Sequence, residues 1–281
     1  MKKVICFGAA GGGKRLYDQV RKKYEIIAFT DNDPRKWGKS IFGIPVYSPE
    51  SCIKMNFDFI VITSAPGLES IKLQLFENNI KEEQIITSYV EQPLLSRIEF
   101  LEKLASFQQV IDKEAEVAEA GVFQGDFAKW INYYYPERRL HLFDTFEGFA
   151  EKNVENEELF SQAKVGDYSN TSIELVMGKM PFPKKVIIHK GFFPESAKTI
   201  NSKFCFVNLD LDLYDPTYEG LLFFSPKMIA GGVILVHDYF ADNFKGPREA
   251  VDKFIAESKG RYQIYPIGDG ISVMVVGFLG F

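Results

Sequence analysis

The chain has 281 residues, 46% of them hydrophobic and 25% charged, with a formal net charge of −5 at pH 7. This length and composition are typical of a globular protein with two domains, and the acidic balance argues against nucleic acid as a partner. No apolar run reaches the roughly 20 residues that span a bilayer, so we expect a cytoplasmic protein without a membrane span. The three cysteines, Cys6, Cys52 and Cys205, form neither a disulfide framework nor a zinc pattern, and we expect reduced packing residues.

Residues 1–92 predict a small α/β domain with a glycine-rich loop between its first strand and its first helix. The strands are KKVICFG, EIIAFT and FDFIVIT, and the helix is GKRLYDQVRKK. Gly8, Gly13 and Lys14 fit the phosphate-binding pattern G-x-x-x-x-G-K, but Arg15 stands where a Ser or Thr hydroxyl would hold magnesium. A nucleoside triphosphatase is therefore disfavoured.

Asp31 ends the second strand of this domain, where a dinucleotide-binding fold places an acid that meets ribose hydroxyls. The glycines can equally serve a tight turn while Asp31 caps the DNDP turn, and both interpretations stay open. The domain resembles the small Rossmann-like domains at the N-termini of sugar-modifying enzymes in bacterial glycan pathways. That resemblance implies a role in holding an acceptor or in organising a homodimer.

Residues 93–114 carry apolar side chains at helical spacing and predict a linking helix. In residues 115–281 the strand candidates are AEVAEAG, LHLF, KVIIH, FCFVNL, GVILVH, RYQIYP and ISVMVVGF. Segments between the first five can supply helices, which predicts a mainly parallel sheet that is buried on both faces. Only a short Gly-Asp-Gly turn separates the last two, so we expect an antiparallel hairpin. This seven-stranded plan, with five parallel-type strands and a terminal hairpin, is that of the class I methyltransferases.

Two acidic motifs follow the first two strands of this second domain. Glu119, Gly121 and Gly125 form E-x-G-x-x-x-G, in which the glycines let the backbone approach a ligand. Asp144 ends the next strand, where a carboxylate can accept two hydrogen bonds from a ribose diol. The two motifs predict nucleoside binding, which either NAD or S-adenosylmethionine would satisfy. Because the loop is not G-x-G-x-x-G and the sheet ends in a hairpin, the methyl donor is favoured.

Two further clusters of polar side chains follow the fourth and fifth strands. Asp210 and Asp212 come after FCFVNL, and His237 and Asp238 come after GGVILV. Because the carboxyl ends of parallel strands face one crevice, we expect these side chains to share a pocket. His141 and His189 lie within or at the end of predicted strands and are expected to be structural.

Several motifs make the resemblance to one family specific. They are AEAGVFQGDFAKW, LFDTFEGF, DYSNTS, KGFFPES, LDLDLYDPTYEGLLFFSPKMIAGGVILVHDYF and GPREAVDKF. In this order, over about 115–270, the chain resembles the macrocin O-methyltransferase family. The resemblance implies an S-adenosylmethionine-dependent O-methyltransferase acting on a sugar hydroxyl, in a surface polysaccharide precursor or a nucleotide-linked sugar. The cofactor-binding residues it implies are Glu119, Gly121, Phe123, Gly125, Asp144, Thr145, Ser169, Thr171, Ser172 and Asp210.

The resemblance also implies a divalent-metal site. Members of the family hold the metal with an acid after the fourth strand and an acidic pair after the fifth, which assigns Asp210, His237 and Asp238 as metal ligands and catalytic residues. His237 stands where the family has Asp, and imidazole is a poorer ligand for magnesium than for manganese, iron or zinc. Two mechanisms stay open. Either magnesium or manganese activates the acceptor hydroxyl, or no metal binds and His237 or Asp210 acts directly as the base.

Two rival functions remain. One is an NAD-dependent sugar dehydrogenase or epimerase that uses the glycine loop at 8–13 and Asp31, although the sequence contains no Tyr-x-x-x-Lys pair. The other is a non-catalytic subunit that binds S-adenosylmethionine without turnover, which the replacement at His237 keeps open.

Overall fold

The chain divides into two compact α/β units, Met1–Leu95 and Ser96–Phe281, in the computed structural model. The structure describes residues 1–64, 67–154, 157, 161, 163–241 and 244–277. The last four residues of the predicted second domain, 278–281, therefore lie outside the described residues. Within the described ranges, no helix combines the length and the apolar character that crossing a membrane requires. Cys6, Cys52 and Cys205 are buried free thiols, as predicted.

A six-stranded sheet forms the centre of the first unit. Its strands are β1 (Lys3–Phe7), β2 (Glu25–Thr30), β3 (Ser40–Ile41), β4 (Ile44–Tyr47), β5 (Phe59–Ile62) and β6 (Ile85–Ile86), in the order β3-β4-β2-β1-β5-β6. Its helices are α1 (Gly11–Arg21), α2 (Pro49–Cys52) and α3 (Leu68–Glu77). All neighbouring strands are parallel except β3 with β4. The sequence did not predict β3, β4 and β6, because strands of two to four residues are too short to show an alternating pattern.

A long helix, α4 (Ser88–Gln108), contains the boundary between the two units. The predicted range 93–114 was wrong at both ends. The helix starts earlier because the Thr87 carbonyl accepts the first helical hydrogen bonds, and Pro93 is accommodated inside it. It ends earlier because the Gln108 side-chain amide donates to the carbonyls of Cys205 and Gly231, both at 2.9 Å, which anchors the last residue to the sheet.

The second unit contains the predicted seven-stranded sheet. Its strands are β7 (Glu116–Ala120), β8 (Leu140–Asp144), β9 (Val186–Lys190), β10 (Phe204–Leu209), β11 (Met228–Val236), β12 (Tyr262–Pro266) and β13 (Val273–Gly277). Their order is β12-β13-β11-β10-β7-β8-β9, in which β13 is antiparallel to both of its neighbours and the other pairs are parallel. The fold class predicted from the strand plan is confirmed.

Helices cover both faces of this sheet. They are α5 (Ala128–Tyr134), α6 (Glu151–Val154), α7 (Ile173–Gly178), α8 (Tyr214–Phe224) and α9 (Gly246–Glu257). Side chains of α4, α5 and α7 pack around Leu142 and Phe206, and those of α8 and α9 pack around Phe143 and Phe204. Each of these fully buried side chains contributes about 1.5–3 kcal/mol of hydrophobic stabilisation.

The strand order reverses between β7 and β10, which are neighbours in the sheet. From β7 the chain proceeds outward through β8 and β9, and it then returns to β10 and proceeds the other way through β11. Loops leaving the carboxyl ends of two such strands diverge and leave a crevice, which is where open α/β sheets bind ligands. The four polar clusters of the sequence all follow strands at this edge.

Candidate active site

The glycine loop after β7 lies directly against the end of β10. Gly121 has φ +83°, and a Cβ atom built on it would lie 1.9 Å from the Asp210 carbonyl oxygen. The Asp210 amide donates to the Ala120 carbonyl at 2.9 Å, and the His237 amide donates to the Leu209 carbonyl at the same distance. These bonds hold the ends of β7, β10 and β11 side by side at one edge of the sheet. Gly121 lies where the chain leaves β7, and only glycine fits so close to the Asp210 carbonyl.

Asp144 holds the shape of this loop. Its Oδ2 atom accepts the amides of Val122 at 2.7 Å and Phe123 at 2.9 Å, and its Oδ1 atom accepts the amide of Phe146 at 2.7 Å. A carboxylate has about four acceptor positions, so three backbone bonds leave capacity for one more donor. The structure therefore gives Asp144 a loop-ordering role beside its predicted contact with ribose.

Glu119 is a buried acid with one unpaired oxygen. Its Oε1 atom accepts the Asn208 side-chain amide at 2.7 Å, while Oε2 has no partner among the described residues. Burial, followed by the negative charge of Asp210, raises the pKa of Glu119 to about 8. Glu119 is therefore largely protonated at neutral pH, and it offers a ligand a hydrogen-bonding group in a dry environment.

Asp210, His237 and Asp238 come together at the ends of β10 and β11. The His237 Nδ1 atom lies 3.0 Å from Oδ1 of Asp210 and 3.0 Å from Oδ2 of Asp238. This nitrogen is buried, and its close neighbours are the two carboxylates. The three side chains are the one set among these residues in which three potential ligand atoms of His, Cys, Asp or Glu lie within 4.8 Å of one another.

This arrangement favours a positive charge between two carboxylates. Burial alone would lower the pKa of His237, but the charges of Asp210 and Asp238 outweigh it and raise the pKa to about 10. Burial alone would raise the pKa of Asp210, but His237 and Arg97 lower it to about 2. Without a metal, the pocket thus holds an imidazolium cation and an ionised Asp210 at neutral pH.

Asp212 lies beside this trio in a strained turn. Its φ is +60°, and the Leu213 amide donates to the Leu211 carbonyl at 2.7 Å across it. Burial, together with the negative charges of Asp238 and Asp210, raises the pKa of Asp212 well above its usual value. A non-glycine residue held at positive φ is costly, and such strain concentrates at functional sites.

Tyr168, in the loop before α7, lies near enough to the acidic residues to feel their charge. Its ring makes edge contacts with Phe123 at 5.2 Å and Phe149 at 5.3 Å between centroids. Burial, followed by the charges of Asp212 and Asp238, raises the pKa of its hydroxyl. The Tyr168 hydroxyl therefore stays protonated at neutral pH.

The segment predicted to cover the cofactor lies against the glycine loop. The Thr171 hydroxyl donates to the Phe123 carbonyl, and the Gln124 side chain donates to the Asn170 carbonyl at 2.8 Å. The Ser172 hydroxyl accepts the amide of Leu175 at 3.1 Å and caps α7. The loop and the segment are thus brought together.

Two other predicted cofactor residues make local turn contacts. The Thr145 hydroxyl donates to the Gly148 carbonyl at 3.3 Å, and the Ser169 amide donates to the Gly166 carbonyl at 3.3 Å. These bonds order the loops at the ends of the predicted site, and a contact of either side chain with a cofactor remains a prediction.

In the first unit, Asp31 is already engaged. Its oxygens accept the amide of Ala9 at 2.8 Å, the amide of Asp33 at 2.9 Å and the Lys36 ammonium group at 2.8 Å. These contacts are those of an acid that orders the glycine loop and the following turn, which was one of the two interpretations of the sequence.

Away from this site, Glu116, His141 and His189 form a hydrogen-bonded chain across β7, β8 and β9. His141 Nε2 lies 2.7 Å from Glu116 Oε2, and His141 Nδ1 lies 2.9 Å from His189 Nε2. Each histidine therefore has a fixed structural partner. Burial is the largest cause that lowers the pKa of both histidines, so both are neutral in the folded chain.

The second unit is expected to lose stability in acid because of this hydrogen-bonded chain. The unfolded chain takes up protons on His141 and His189 as the pH falls through about 6.5, whereas the folded chain takes them up only at lower pH, so the free energy of unfolding falls as pH decreases. Each histidine contributes at most about 1.4 kcal/mol per pH unit. Urea unfolding between pH 7.5 and pH 5 should show a steeper fall for the wild type than for His141→Gln. Equal slopes would contradict this account.

Arg97 is a residue of the site that the sequence did not indicate. Arg97 lies on α4, 113 positions before its partner, and its Nη1 atom donates to Asp210 Oδ2 at 3.2 Å. Nothing in the surrounding sequence distinguishes it from a solvated helix charge, although it is only 8% exposed.

Two family profiles match the chain. The profile described as Macrocin-O-methyltransferase (TylF) matches residues 96–273, and the profile described as C2185-like, N-terminal, matches residues 1–86. No curated protein matches the sequence at a significant level.

Solved structures of two methyltransferases are similar to this chain. The structure of the O-methyltransferase NovP is 20% identical, with a TM-score of 0.53, over 64% of this chain and 78% of that one. The structure of CalS11, a calicheamicin methyltransferase, is 18% identical, with a TM-score of 0.56, over 77% of this chain and 94% of that one. These similarities establish a shared fold.

Proposed function

The chain belongs to the macrocin O-methyltransferase family, and on that premise we propose that it transfers a methyl group to a sugar hydroxyl with the help of a divalent metal. Family membership makes it an S-adenosylmethionine-dependent O-methyltransferase. The sugar acceptor, as part of a nucleotide-linked sugar or a surface glycan precursor, is our proposal. The observation that carries it is the cluster of Asp210, Asp212, His237 and Asp238 after β10 and β11, next to the reversal point of the sheet.

The residues of the glycine loop fit the methyl donor. When bound, S-adenosylmethionine supplies a methyl group that its sulfonium already activates. Gly121 has no side chain at a position where one would collide with Asp210, so the ligand can approach its backbone. The unpaired Oε2 of Glu119 can form a hydrogen bond with a polar group of the ligand. Asp144 keeps acceptor capacity for a ribose hydroxyl.

The second cluster fits a divalent cation. One potential ligand atom from each of Asp210, His237 and Asp238 lies within 4.8 Å of the other two, and imidazole and carboxylate are both common ligands of divalent metals. Asp210, His237 and Asp238 would hold the ion, whose chemistry is to orient the acceptor hydroxyl and stabilise negative charge on its oxygen.

Asp212 is the residue that we assign to accept the proton. Methyl transfer forms one oxygen–carbon bond, breaks one carbon–sulfur bond and releases the hydroxyl proton, which must pass to a base. His237, with a pKa of about 10, is already protonated without a metal, and Asp210, with a pKa of about 2, is a weak base. Both direct-base alternatives are therefore disfavoured, which leaves Asp212, the carboxylate beside Asp238 that the proposed metal site does not use.

The acceptor class is tested by measuring S-adenosylhomocysteine release from the purified chain with manganese present. We expect sustained release with a nucleotide-linked deoxysugar and none with a catechol. Release with the catechol alone would overturn the sugar proposal. Release with neither acceptor, despite binding of S-adenosylmethionine, would favour the non-catalytic subunit.

His237 is expected to set the preference for the metal. Chelation should stop turnover, and manganese should restore it better than magnesium, because imidazole is a poor ligand for magnesium. In His237→Asp the ratio of manganese to magnesium affinity should fall about tenfold or more, a change typical of altered metal surroundings. Titration of both ions into the metal-free chain measures the ratio. An unchanged ratio would remove His237 from the ligand set.

A further inference from the structure

Arg97 is a buried cation that contacts both Asp210 and Phe127, the residue just after the glycine loop. Its Nη1 atom donates to Asp210 Oδ2 at 3.2 Å, and its guanidinium lies 4.2 Å from the ring centroid of Phe127, just after the glycine loop. The side chain exposes only 10% of its surface. Burial of a charge is costly unless it is paired, so this placement requires the contact with Asp210.

The contact divides the two oxygens of Asp210 between different partners. Oδ2 faces Arg97, and Oδ1 faces His237 Nδ1 at 3.0 Å. The Asp210 backbone is fixed separately, because its amide donates to Ala120 and its carbonyl abuts Gly121. These backbone contacts do not fix the rotation of the Asp210 carboxylate. The hydrogen bond from Arg97 restricts that rotation.

We propose that Arg97 is a positioning residue that turns a single oxygen of Asp210, Oδ1, toward the metal site formed with His237 and Asp238. The role rests on the metal site of the proposed function. A carboxylate held on one oxygen presents the other in one orientation, so the ligand is organised before the ion arrives. Partners that orient metal ligands in this way change the metal affinity about 10- to 100-fold when they are removed.

A second buried arginine supplies a matched control. Arg138 is also 8% exposed, but it donates to the backbone carbonyls of Gln108, Asp112 and Ala115 and to no acidic side chain of the metal site. Its removal should reduce the stability of the second unit without changing the affinity of the folded chain for a metal. The comparison separates positioning of Asp210 from the general cost of removing a buried arginine.

The test measures binding of Mn²⁺ to the full metal-free chain, from the electron paramagnetic resonance signal of the free ion, with no acceptor or turnover. Arg97→Met keeps an unbranched apolar side chain but removes the guanidinium and its charge, and we expect its Kd for Mn²⁺ to rise about 10- to 100-fold. Arg97→Lys restores a positive charge without the planar fork and should give an intermediate Kd. Arg138→Ala should bind as the wild type does.

The outcomes distinguish the role of Arg97 from the proposed function. If the wild type binds Mn²⁺ and Arg97→Met binds it equally tightly, Arg97 has no positioning role and the metal site stands. If Arg97→Met does not fold, an unchanged Kd in Arg97→Lys overturns the role and an increased Kd supports it. If the wild type itself does not bind Mn²⁺, the metal part of the proposed function fails, and the role of Arg97 fails with it.

Discussion

Replacing Asp212 with asparagine is expected to lower kcat for methyl transfer about 100- to 10,000-fold, the usual contribution of a positioned general base. Asparagine has nearly the same shape but cannot accept the proton. Binding of S-adenosylmethionine and of the metal should persist, because Asp210, His237 and Asp238 remain. The substitution also removes a carboxyl group whose charge is opposed by Asp238 and Asp210, so the variant should be more stable than the wild type at neutral pH.

Steady-state kinetics together with urea unfolding test this prediction. Asp215→Asn is the matched control, because Asp215 is exposed in the first turn of α8 and its loss changes the net charge equally. The control should keep the kcat of the wild type. An active Asp212→Asn would show that another group takes the proton, whereas a variant that loses activity because it unfolds would contradict the expected gain in stability.

Replacing Gly121 with alanine is expected to destabilise the second unit by about 2–4 kcal/mol and to weaken binding of S-adenosylmethionine about tenfold or more. A left-handed backbone costs alanine about 1–2 kcal/mol. In addition, the new Cβ would lie 1.9 Å from the Asp210 carbonyl oxygen, so the loop or the end of β10 must move. Either movement disturbs the crevice.

Gly260→Ala separates the two causes of this effect. Gly260 has the same φ of +83°, but no heavy atom lies within 4 Å of the position of its Cβ, so it carries the backbone cost without the collision. Urea unfolding and calorimetric titration of the cofactor should show a small loss of stability and unchanged binding for this control. If Gly121→Ala behaves as Gly260→Ala does, the close approach to Asp210 is not required for the site.

The second sheet was predictable because its strands are short apolar runs between segments that could be helices. The apolar run of β10, FCFVNL, is buried along its whole length, and the Gly-Asp-Gly turn allows only a hairpin. The small strands of the first unit were not predictable. β3 and β6 have two residues each and form through pairing with their neighbours rather than through a pattern of their own.

The site was predictable where it follows strand ends and not where it depends on distant contacts. Asp210, His237 and Asp238 meet because parallel strands end at one edge, which the sequence indicates. Arg97 reaches Asp210 only through the packing of α4, and Asp212 acquires its raised pKa only when the folded chain buries it beside Asp238. Such features need the tertiary structure, because neither leaves a local pattern.

Calorimetric titration of the full chain with S-adenosylmethionine and with NAD, each with and without manganese, tests the central claim most directly. The account predicts that S-adenosylmethionine binds to one site, that Gly121→Ala weakens this binding, and that NAD releases no heat of binding. Binding of NAD without binding of S-adenosylmethionine would contradict the account and would place the active site at the glycine loop of the first unit.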